Sequence, residues 1–199
     1  MPVLVGMTAD EGVLSPDYFA ISREAFRAKL EKRTGRLSGD LLDLLPAHSD
    51  EQALASNRAF TRDYGLASLI DWASDWHAVT GQKAFAYFFS HVEPGPDARK
   101  YGAFHSSEIP YVFETLSQAP SRPYTRMDHV LAGQMAGYWV NFIEHGDPNG
   151  APLPVWQAIS FGQPSVLDFG DGAPTALMID RLVELLLPAM RNSSRRSIF

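Results

Sequence analysis

No cysteine occurs among these 199 residues, which excludes disulfides, thiolate metal sites and a thiol nucleophile. The redox compartment is therefore left open. No stretch approaches the run of about 20 apolar residues that a membrane-spanning helix requires. The opening Met1-Pro2-Val3-Leu4-Val5 is too short and too uncharged for a signal peptide, and a leader further upstream would escape this reading, so cellular location is unknown. A concentrated basic face is missing as well. The net charge is −6 and the pI is near 5.4, which argues against nucleic acid as the main partner. The densest basic cluster, Arg191, Arg195 and Arg196, reads as a solvated tail.

What is present is the composition of a folded protein: 45% hydrophobic, 12% aromatic and 20% charged residues. The length suits one core, since single cores suffice up to about 250 residues. Residues 2–8, with Val3, Leu4, Val5 and Met7, form an apolar run without polar alternation, as in a parallel strand buried on both faces. Such a strand needs two neighbours, and this one stands at the start of the sequence, so further sheet upstream is expected.

Helical spacing follows over 22–33, with Ser22 as N-cap. It recurs over 50–79, read as one or two helices interrupted near Gly65 and ended at Gly81. Residues 84–91 are the strongest strand signal by aromatic content. A short helix is expected over 107–113, with Pro110 near its start, and a long one over 127–145. A short strand at 166–169 and a last helix over 179–190 complete the pattern. Ser38 reads as the cap of a helix carrying Leu41, Leu42 and Leu45. Helices between two credible core strands favour α/β architecture.

In open α/β sheets, functional side chains gather beyond the carboxyl ends of strands. Glu11 follows the first strand in a glycine-flanked turn, and His105 lies in a loop after the aromatic strand. A carboxylate on one strand end fixes the tautomer of an imidazole on the next and supports its charged form. Each residue also has an ordinary reading, as a turn carboxylate and a solvated loop histidine.

Three ordered segments add a family resemblance. Pro2-Val3-Leu4-Val5-Gly6-Met7-Thr8-Ala9-Asp10-Glu11-Gly12 resembles the type-B carboxylesterase and cholinesterase segment whose Glu before Gly is the triad acid. Gly102-Ala103-Phe104-His105-Ser106-Ser107-Glu108-Ile109-Pro110-Tyr111 resembles the segment with the triad histidine. Tyr138-Trp139-Val140-Asn141-Phe142, then Gly146-Asp147-Pro148-Asn149-Gly150 and Leu153-Pro154-Val155-Trp156, are similar to the family's C-terminal helix and following loop.

The resemblance spans about residues 2–157. It implies the C-terminal portion of a single α/β-hydrolase domain over 1–199: the last strands of the sheet with flanking helices, a carboxylic ester substrate and no cofactor or metal. Glu11 would be the acid and His105 the general base, while Glu108, Tyr111, Trp139 and Trp156 read as structural.

One departure stands out. Hydrolases of this fold carry their serine on a G-x-S-x-G elbow, and the sequence contains none; in Gly35-Arg36-Leu37-Ser38-Gly39 the serine falls one place too late. The nucleophile and the glycine-rich oxyanion loop are expected in a missing N-terminal part, so this chain alone is expected to be inactive. A self-dimer covering the exposed sheet edge is the other expected partner. Two readings compete: a non-catalytic cholinesterase-like adhesion module, and a metal site of His105 and Glu108 with His91.

Overall fold

The computed structural model describes residues 1–35, 39–160 and 163–194. The apolar run becomes β1 (Val3–Thr8), followed by two 3-10 turns (Glu11–Leu14 and Pro16–Tyr18). Three helices follow: α1 (Arg23–Thr34), α2 (Gly39–Leu44) and α3 (Asp50–Thr80). The aromatic run forms β2 (Ala84–Phe89), and then come α4 (Ala98–Tyr101), α5 (Ile109–Val112) and α6 (Arg126–His145). The chain closes with β3 (Val166–Phe169), β4 (Thr175–Ala176) and α7 (Arg181–Ser194).

Local signals start and stop these helices. Ser22 accepts a hydrogen bond from the Ala25 amide at the head of α1, and Ser49 does the same for Gln52 at the head of α3. Thr125 and Asp128 form a reciprocal capping box on α6. Gly81 ends α3 with φ 67°. The expected cap at Ser38 lies outside the described residues, as do the side chains of the C-terminal arginine cluster.

The four strands form one sheet in the order β1-β2-β3-β4. β1 runs parallel to β2 from Val3↔Ala84 to Thr8↔Phe89, and β2 parallel to β3 from Ala86↔Val166 to Phe89↔Phe169. Only β4 is antiparallel. Side chains alternate across the pleat. Ala84, Ala86 and Phe88 enter a core with Phe26, Phe60 and Ile70, while Phe85, Phe89 and Tyr87 enter a second with Tyr111, Met135 and Trp156. The helices of the first crossover thus cover one face and those of the second the other, a three-layer mixed α/β arrangement.

Several expectations need correction. α3 is continuous through Gly65: a β-carbon there would meet the Met7 terminal methyl at 2.9 Å, so the glycine lets β1 approach the helix and does not break it. β1 is not buried on both faces. It lies at the sheet edge with Val3–Gly6 half-buried and only Met7 and Thr8 buried, although Val3 and Val5 still pack partly against one core and Leu4 against the other. β2 stops at Phe89, because the Ser90 and His91 amides both turn to the Phe169 carbonyl. The helix expected over 107–113 shrinks to α5.

The segment after α6 is pinned to the sheet through one tryptophan. Asn149 exchanges two hydrogen bonds with the Trp156 backbone, and the buried Trp156 indole N–H donates to the Ala86 carbonyl at 3.0 Å.

Candidate active site

Beyond the carboxyl ends of β1 and β2 two loops run side by side. The Ala9 amide continues the ladder to the Phe89 carbonyl, and then Asp10 pairs with the histidine loop: its amide donates to the Ala103 carbonyl at 2.9 Å, with a parallel bridge to Phe104. This register brings Glu11 and His105 together. His105 Nδ1 lies 2.5 Å from Glu11 Oε2, while Glu11 Oε1 accepts the Thr8 amide at 3.0 Å. Both carboxylate oxygens are therefore engaged, which orients the group toward the ring.

The His105 side chain is 52% exposed and that of Glu11 32%. The hydrogen bond that the ring donates to Glu11, and then the Glu11 charge, raise the imidazole pKa above its ordinary value. Nδ1 is thus held as the donor to Glu11, and Nε2 has no hydrogen-bond partner among the described residues.

Glu108 stands beside this pair. Burial, and behind it the neighbouring Glu11 charge, hold its carboxyl above the usual range. Tyr111 and Trp156 are buried in the core, and Trp139 packs against Tyr87 and Trp156. His91 does not join His105 and Glu108. It bonds Asp171 through Nδ1 and Asp128 through Nε2, and among the described residues no group of three such side chains is disposed to hold a metal ion.

A cleft of about 520 Å³ is lined by neither Glu11 nor His105 but by neighbours of both in the chain, among them Val13, Leu14 and Phe104, with Glu93, Asp97 and Arg122 beside them. Val13 and Leu14 follow Glu11 closely in the chain, and Phe104 immediately precedes His105. No helix among the described residues is long and apolar enough to cross a membrane. The Asp10 carboxylate also accepts the Tyr18 hydroxyl and the Ala103 amide, contacts that no spacing in the sequence reveals.

Residues 1–178 match the carboxylesterase family. The chain is similar to the bile salt-activated lipase of Rattus norvegicus, 28% identical over 170 residues that make up 83% of this chain and 24% of the relative. It is similar to the acylcarnitine hydrolase of Mus musculus, 32% identical over 96 residues, covering 48% of this chain and 16% of the relative. The fumonisin B1 esterase of Sphingopyxis macrogoltabida is 29% identical over 164 residues, covering 78% and 30%. The chain thus spans less than a third of the length of these relatives. A match over nearly its whole length, on a mostly parallel sheet flanked by helices, establishes that this chain belongs to the carboxylesterase family.

Proposed function

We propose that Glu11 and His105 are the acid and the base of a Ser-Glu-His triad in a carboxylic ester hydrolase, and that a segment outside these 199 residues contributes the serine. Residues 1–199 are then the C-terminal portion of one α/β-hydrolase domain, and the open edge of β1 is where the rest of its sheet pairs. The observation that carries this reading is the 2.5 Å contact between His105 Nδ1 and Glu11 Oε2, made by a ring that is half exposed.

In the complete enzyme the serine hydroxyl attacks the ester carbonyl as His105 Nε2 takes its proton. Glu11 holds the ring and stabilises the imidazolium that forms. The tetrahedral adduct collapses to an acyl-enzyme, and His105 returns the proton to the departing alcohol. Water, deprotonated by the same ring, then releases the acid. The apolar cleft beside Phe104 accommodates a hydrocarbon part of the ester. The relatives' names, a lipase and an esterase among them, support an ester substrate.

Without a serine the acid and base have nothing to activate, and loss of the nucleophile typically costs about a million-fold in turnover. The test mixes this chain with the N-terminal part of a family member and follows hydrolysis of a chromogenic short-chain ester. Activity is expected only in the mixture, and is expected to vanish with His105→Ala and fall steeply with Glu11→Gln. Turnover by this chain alone, or turnover in the mixture that survives His105→Ala, would overturn the assignment.

A further inference from the structure

We propose that Asp10 is the positioning residue that keeps the histidine loop in register with Glu11, acting through a carboxylate clamp on Ala103 and Tyr18. The inference rests on the Glu11–His105 pairing proposed above and extends it to a residue that does not touch the ring.

His105 has little packing to hold it, because its side chain is half exposed on a surface loop. Two residues on either side of it the chain is buried, at Ala103 and at Ser107, and Ala103 is the point that the Glu11 loop reaches. Asp10 grips that point twice. Its amide donates to the Ala103 carbonyl at 2.9 Å, and its Oδ2 accepts the Ala103 amide at 2.9 Å. The other oxygen, Oδ1, accepts the Tyr18 hydroxyl at 2.5 Å. Tyr18 is itself fixed: its ring is buried, Arg58 of α3 lies over it at 4.6 Å, and Arg58 Nε donates to the Tyr18 carbonyl at 3.0 Å. The carboxylate therefore ties the histidine loop to the long helix under the sheet. Bonds to an ionised acceptor are roughly twice as strong as neutral ones, which suits an anchor on an exposed loop.

Gly102 is the counterpart of this clamp. It has φ +59°, and a β-carbon there would lie 2.0 Å from Asp10 Oδ2, so only glycine lets the loop close on the carboxylate. Glu11 is the next residue after Asp10, and His105 is two beyond Ala103. The same anchor thus sets the separation of the two reacting groups, and a displacement of about 1 Å in such a pair can cost on the order of a hundred-fold in rate.

The experiment is an NMR titration of the His105 ring in the isotopically labelled chain, with thermal unfolding of each variant alongside. Glu11→Gln is the reference and is expected to lower the His105 midpoint and remove the low-field Nδ1 proton. Asp10→Ala and Gly102→Ala, which open the clamp from opposite sides, are expected to shift the midpoint in the same direction. Asp10→Asn, which keeps an oxygen for the Ala103 amide, is expected to restore most of the parent value. A role in stability alone would lower the melting temperature of Asp10→Ala and leave the ring titration of both clamp variants at the parent value, and that result overturns the inference. A midpoint unmoved by Glu11→Gln would instead remove the pairing on which it rests. Should Asp10→Ala fail to fold, Gly102→Ala on the loop decides between these outcomes.

Discussion

His105 Nδ1 stands 2.5 Å from Glu11 Oε2, a contact between residues 94 positions apart. The hydrogen bond and charge of Glu11 raise the imidazole above its ordinary pKa of 6.5. A raised folded-state pKa means that the pair contributes fully below the unfolded value and is lost as pH rises through the folded one. The stability difference between the parent chain and Glu11→Gln is therefore expected to be greatest at and below about pH 6 and to shrink as pH rises above the ordinary imidazole value. Because the ring is half exposed, the difference should stay under about 1 kcal/mol. Urea denaturation across that range measures it, and a difference that grows with pH would contradict the pairing.

Asp128 gives the opposite dependence. Burial alone would raise its pKa, but hydrogen bonds from Thr125, Tyr111 and His91 outweigh it and bring the carboxyl down to about 2. A depressed folded value contributes stability above the unfolded pKa of about 3.9, lost as pH falls through the folded one. Acid unfolding between about pH 4 and 2 is expected to lose part of its steepness in Asp128→Asn. An unchanged acid limb, followed by circular dichroism, would show that the network does not hold α6 in this way.

Trp156 links the segment after α6 to β2. Its side chain is fully buried and its indole N–H satisfies the Ala86 carbonyl. Trp156→Ala is expected to destabilise the chain by about 3–5 kcal/mol through cavity formation. Trp156→Phe, which keeps most of the ring and orphans the carbonyl, should cost about 1–3 kcal/mol. Urea midpoints at constant slope separate the two, and equal losses would mean that ring volume is not what the site uses.

Ser106, immediately after His105, has φ 74° without being glycine. A side chain in this left-handed region costs roughly 1–2 kcal/mol, and glycine gives back about 0.5–1 through unfolded-state entropy. Ser106→Gly is thus expected to raise stability by about 0.5–1 kcal/mol in thermal unfolding. A loss of similar size would indicate that the serine side chain holds the turn.

Much of the helical layout was legible in sequence because helices are decided by neighbours. Ser22 and Gly81 are local signals, and the structure uses each as an end of a helix. The aromatic run likewise became a strand whose alternate residues feed two cores, since the pleat has a period of two whatever lies beside it. The family segments were legible for the same reason, as short contiguous strings. The carboxylate at position 11 and the ring at position 105 could be singled out and expected to pair on neighbouring strand ends, but nothing local fixed the distance or the atoms through which they meet.

Their meeting was decided by tertiary structure. Parallel pairing of Thr8 with Phe89 and the bridge from Asp10 to Phe104 set the distance between the two loops, and such register depends on how distant strands pack. The same is true of Gly65, which by composition marks a break and in three dimensions gives Met7 room against an unbroken helix. Chain-local preferences choose backbone angles, whereas contacts across some 90 residues arise only when two faces of a sheet are filled and its strands lock in place; that is why Asp10 and Tyr18 became visible as a clamp only in the folded chain.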